Sequence, residues 1–117
     1  MFSTKTIVLF IAATAAPLVR ADYWAMFCDD TDCTTGCGES VSVTNPGCLN
    51  ESGRQSILFH GDIDSGDYSL VVSPSGNCPC QDNCETIPSG TTCLDISLYE
   101  DAQSFRFISG NCGSNNC

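Results

Sequence analysis

The chain is poor in positive charge. Only four of its 117 residues are Lys or Arg, against 14 Asp and Glu. Two of those cations, Lys5 and Arg20, fall in the first 21 residues, and every acidic residue comes after Ala21. Residues 22–117 therefore keep Arg54 and Arg106, have no lysine, and carry a formal charge of −12 with His60 neutral. Such a surface repels nucleic-acid phosphates and anionic lipid heads. No polybasic stretch, nucleic-acid fold signature or amphipathic membrane helix offsets this. A nucleic-acid partner is not expected, whereas a basic protein, a neutral glycan or a cation stays compatible.

Other shortages narrow the chemistry. There is one histidine and one tryptophan. No Cys-x-x-Cys occurs, which argues against a thioredoxin-like redox site and the usual zinc spacing. No Gly-x-Ser-x-Gly elbow selects a serine nucleophile. The apolar run Ile7–Ala16 is about half the ~20 residues that a membrane-crossing helix needs, so no integral membrane association is expected. With Lys5 before it, Pro17 breaking it, and Val19 and Ala21 small enough to precede a cleavage site, this run reads as a signal peptide over 1–21. The alternatives are cleavage nearer Pro17 or a buried N-terminal helix. Export places residues 22–117 outside the cell as one secreted domain.

Cysteine is abundant instead. Cys28, Cys33, Cys37, Cys48, Cys78, Cys80, Cys84, Cys93, Cys112 and Cys117 form an even set in a short chain, the composition of a disulfide scaffold. Five bridges are the simplest account, and sequence does not choose among roughly 900 complete pairings. Cys78 and Cys80 straddle one proline and are expected to bond to different partners. Cys117, if paired, pins a terminus that otherwise frays. The dense Cys78–Cys93 group raises a structural metal as the rival, but oxidising surroundings favour bridges. No cofactor is expected.

The pattern of apolar residues is that of short strands. Asp22–Phe27 is aromatic-rich and reads as a strand or a binding patch, with Trp24 the best single core or anchor candidate. Cys28–Gly38 reads as a bridged loop or a short helical turn. Ser40–Thr44 alternates, with Val41 and Val43 inward. Ser56–His60 and Tyr68–Val72 are two further strands, expected as a hairpin across residues 61–67. Residues 78–92 read as an irregular disulfide-bound loop. Cys93–Tyr99 places Leu94, Ile96 and Leu98 on one face, and Ser104–Ile108 does the same for Phe105 and Phe107. No long helical period and no interdomain linker is present. The expected fold is a small, disulfide-rich domain, mainly β or α+β: a compact antiparallel sheet of four or five short strands.

Candidate chemistry is sparse. His60 with Asp62 or Asp64 is a possible proton-transfer pair, which leaves a small hydrolase as one alternative. A fungal-type ribonuclease set of His, Glu, Arg and Tyr is matched in composition only, without a motif. Asp29, Asp30 and Asp32, and Asp62, Asp64 and Asp67, are hard-ligand clusters for calcium, yet neither matches the EF-hand pattern. Solvated acidic turns are the simpler reading. Asn50-Glu51-Ser52 is an N-glycosylation sequon.

The signal peptide, dense even cysteine set, acidic chain and terminal Cys117 together resemble fungal small secreted cysteine-rich proteins. The resemblance covers the plan from Met1 to Cys117 and no diagnostic motif. It implies an effector-like protein that interacts with a host or, as the alternative, an antimicrobial or killer-like toxin acting on competing cells. A hydrophobin is a poor match, since no adjacent cysteine pair occurs. The expectation is noncatalytic recognition of an extracellular host protein or a cell-wall glycan. The hydrophobic contact candidates are Tyr23, Trp24 and Phe27, and the acidic ones are Asp62, Asp64 and Asp67.

Overall fold

The computed structural model describes residues 23–44, 46–61 and 68–117. The expected signal peptide and Asp62, Asp64 and Asp67 lie outside them. Among the described residues seven strands are formed: β1 (Tyr23–Cys28), β2 (Val41–Ser42), β3 (Ser56–Gly61), β4 (Tyr68–Ser73), β5 (Asn83–Thr86), β6 (Thr92–Asp95) and β7 (Ser104–Ser109). They make two antiparallel sheets, of order β2-β1-β3-β6 and β5-β4-β7. The expected mainly β, antiparallel, disulfide-rich domain is what forms, with its strands shared between two sheets.

Alternation along the strands explains why the sheets stack. On β1, Tyr23, Ala25 and Phe27 are buried while Trp24 and Met26 are half-exposed. Ile57 and Phe59 of β3 are buried opposite Leu70 and Val72 of β4 and Phe105 and Phe107 of β7, in one core. Aromatic pairs join the layers. Phe27 meets Phe105 with ring centroids 5.1 Å apart, and Phe59 meets Phe107 edge-on at 5.8 Å. Such pairs add about 0.5–1.5 kcal/mol beyond the area they bury.

Three expectations need correction. Strands β3 and β4 do not form a hairpin. β3 pairs with β1 and β6, whereas β4 pairs with β5 and β7 in the other sheet. Within 78–92 the segment Asn83–Thr86 is a strand, held at an edge by pairing with β4. Of the two readings of Cys28–Gly38, the bridged loop is the one formed, a run of turns and bends closed by Cys28–Cys37, and the short helical turn is not. The fourth expected strand stops at Asp95, because Asp95 Oδ1 accepts from Ser97 N (2.9 Å) and Ser97 Oγ (2.6 Å) in a tight side-chain turn. That turn breaks the alternation: Ile96 is buried and Leu98 is 68% exposed.

All ten cysteines pair: Cys28–Cys37, Cys33–Cys93, Cys48–Cys78, Cys80–Cys117 and Cys84–Cys112. Cys78 and Cys80 do take different partners, and Cys117 ties the terminus back. Cys28–Cys37, Cys33–Cys93 and Cys84–Cys112 each fasten an irregular segment to a strand, and Cys48–Cys78 and Cys80–Cys117 join irregular segments to each other, since a small core alone gives a chain of this size little margin. Arg54 adds a polar clasp between two loops: its Nε donates to Glu51 Oε1 (2.8 Å), and its Nη1 to Asp29 Oδ1 (2.9 Å) and to the Gly36 carbonyl (2.6 Å). Its pKa rises, first through the bond to Glu51. Gly36 is required there, because at φ +64° a Cβ would stand 2.2 Å from Asp29 Oδ2.

Candidate recognition face

The residues of β1 and β3 that turn away from the core line up in rows. Trp24 lies between Ser42 of β2 and His60 of β3. Met26 lies beside Leu58, and Leu58 beside Cys93 of β6. Trp24, Met26 and Leu58 are half-buried and form a short apolar stripe across the sheet. These two rows hold no carboxylate, although the chain has 14.

The far end of the same face is closed. Ser56 is fully buried and its hydroxyl donates to the Asp30 carbonyl (2.5 Å), while Cys33–Cys93 pulls the same loop onto β6. Within the loop, the Asp30 carboxylate accepts from the Thr34 hydroxyl and from the N–H groups of Thr34 (2.9 Å) and Thr35 (3.1 Å). These bonds hold it below its ordinary pKa, the hydroxyl contributing most. The carboxylate is thus engaged by its own loop, as in a solvated acidic turn. Among the described residues no three His, Cys, Asp or Glu side chains converge on a metal site.

The open end carries a polar rim. Ser40 Oγ and His60 Nε2 are hydrogen-bonded at 3.2 Å, and the Ser42 and Thr44 hydroxyls at 2.9 Å. Asp62 and Asp64, expected beside His60, lie outside the described residues; among the described ones, Ser40 is the side chain hydrogen-bonded to His60. Sequence reading had not singled out Ser40. Its signal was its place at the start of the alternating Ser40–Thr44 run that pairs with β1.

The hydrophobic contact candidates separate. Trp24 belongs to this face. Tyr23 and Phe27 do not, and their assignment as contact residues is corrected: both are essentially inaccessible, because odd-numbered positions of β1 point inward. Tyr23 stacks on Phe59, and its hydroxyl donates to the carbonyls of Pro88 (2.6 Å) and Gly90 (2.8 Å), while burial pushes its pKa up.

Asn50 of the sequon is exposed, and its side chain is clasped with Asn77. The described residues contain no helix long and apolar enough to cross a membrane. No protein-family model, curated protein or solved structure matches the chain.

Proposed function

We propose that the chain is a secreted, noncatalytic recognition protein, effector-like in role, that binds an extracellular host protein through the outer face of β1 and β3. The observation that carries this reading is the carboxylate-free Trp24–Met26–Leu58 stripe on an otherwise acid-rich chain. Interface centres are depleted in charge and enriched in aromatic residues and Met, with polar groups at the rim. Ser40, Ser42, Thr44 and His60 supply such a rim. Five disulfides preorganise the surrounding loops, which lowers the entropy lost on binding.

The test is a screen of the oxidised protein against an extracellular protein array and a glycan array, with the reduced protein and Trp24→Ala in parallel. A protein partner bound by the oxidised form and lost with Trp24→Ala supports the reading. Binding confined to glycans moves the partner to the cell wall. Binding indifferent to both controls overturns the assignment of this face.

A second reading has one observation behind it. Ser40 Oγ and His60 Nε2 at 3.2 Å stand in the relation of a hydroxyl nucleophile and its base. On that reading turnover of an ester or amide substrate disappears in both Ser40→Ala and His60→Ala with folding intact.

A further inference from the structure

Opposite the recognition face, the outer side of the three-stranded sheet holds a concavity of about 250 Å³. Val71 of β4 and Arg106 of β7 are directly paired across the strands, and Ile108 follows Arg106 on the same side. Val71 and Ile108 make an apolar floor, and Pro79 and Asn116 stand among its walls. The walls are fixed. Cys48–Cys78 and Cys80–Cys117 anchor them, and Gln81 clamps the terminal segment. Its N–H donates to Asn116 Oδ1 (2.7 Å), its carbonyl accepts from Asn116 N (2.8 Å), and its Nε2 donates to the Gly113 carbonyl (2.9 Å).

Arg106 is exposed and makes no salt bridge among the described residues. Carboxylates are plentiful, and Arg54, the other arginine after Ala21, engages two of them. The one uncommitted guanidinium of the described chain therefore stands over an apolar floor between rigid walls. We propose that this groove binds a monocarboxylate carrying an apolar group. The guanidinium fork matches the two carboxylate oxygens, and the floor receives the apolar body. The chain's large negative charge repels a multiply charged anion more strongly than a singly charged one, which favours one carboxylate over phosphate. The volume suits one residue-sized group, below the ~300 Å³ at which pockets for drug-sized ligands begin. The groove lies on the other sheet from Trp24 and does not depend on the proposed function.

The experiment is ¹H–¹⁵N chemical-shift titration of the oxidised protein with three probes: N-acetyl-phenylalanine, its uncharged amide, and 3-phenylpropionate. The expected result is saturable shifts at Val71, Arg106, Ile108 and Asn116 with the acids, and none with the amide. Arg106→Gln weakens acid binding by about tenfold or more, the loss of a charge-assisted bidentate contact. Arg106→Lys falls between. Equal binding of both acids assigns the site to small carboxylates in general. Preference for N-acetyl-phenylalanine assigns it to a peptide C-terminus. No saturable shift in the millimolar range, equal response to the amide, tighter binding of inorganic phosphate, or indifference to Arg106→Gln overturns the proposal.

Discussion

Phe27 and Phe105 meet across the two sheets with their ring centroids 5.1 Å apart. Three residues earlier on the same strand, Trp24 faces the other way. Phe27→Ala is expected to cost about 3–5 kcal/mol, the range for emptying a buried aromatic site. Trp24→Ala is expected to cost clearly less stability and to abolish partner binding. Guanidinium unfolding with the bridges intact, read beside the array screen, separates the roles. A stable Phe27→Ala variant that has lost binding would reverse them.

Asn50 and Asn77 clasp two loops through both ends of the Asn50 amide. Its Oδ1 accepts from Asn77 N (2.8 Å) and its Nδ2 donates to Asn77 Oδ1 (3.2 Å). Asn77 also sits at φ +69°. Asn77→Gly is expected to lose one side-chain bond, roughly 0.5–1.5 kcal/mol. Asn77→Ala is expected to lose about 1 kcal/mol more, because a Cβ is disfavoured in the left-handed region. Equal unfolding midpoints for the two variants would show that this backbone conformation is not retained. One hydrogen of Nδ2 is left for a glycan, so intact mass of protein secreted by a eukaryotic host is expected to show an adduct that Asn50→Gln removes.

Acid is expected to release the Cys28–Cys37 loop locally. The Asp30 pKa is lowered from 3.8, chiefly by the Thr34 hydroxyl and further by the Thr34 and Thr35 N–H groups. A carboxyl depressed in the folded state contributes stability that is present above its unfolded pKa and lost as pH falls through the folded one. Amide protection at Thr34 and Thr35 is therefore expected to hold from neutrality down to about that ordinary value and to collapse below it. Asp30→Asn is expected to weaken the protection at neutral pH. Protection unchanged through strong acid would show that the disulfide alone orders the loop.

Much of the fold was legible because a strand that buries one face writes an alternation into the sequence. Phe105 and Phe107 of β7 are such a case. What was not legible is which strand pairs with which. Tyr68–Ser73 is buried along nearly its whole length, with Val71 on its outer side only 8% exposed. A strand covered on both faces shows no alternation and says nothing of its partner. Asn83–Thr86 was missed for the opposite reason: it is polar, short and at an edge, and only its pairing with β4 makes it a strand. Trp24 was found from its rarity, but the aromatic run alone could not tell it from Tyr23 and Phe27. Strand parity decides that.

The Cys80–Cys117 bridge is nested outside Cys84–Cys112, and this limits what it adds. Taken alone it spans 37 residues, but with Cys84–Cys112 closed the additional loop is only about ten residues. Such a loop corresponds to roughly 2–3 kcal/mol of unfolded-state constraint. The double variant Cys80→Ser, Cys117→Ser is therefore expected to keep both sheets and fray locally. Hydrogen exchange should rise at residues 113–117 and stay slow along β7. Gln81 opposes the fraying through its bonds to Gly113, Asn115 and Asn116. The Arg106 groove would lose one fixed wall at Asn116, so carboxylate binding is expected to weaken in the same variant while partner binding at Trp24 is unchanged. Slow exchange persisting at residues 113–117 would mean that the Gln81 clamp holds the terminus without the bridge. Global unfolding would mean that the terminal segment is part of the cooperative unit.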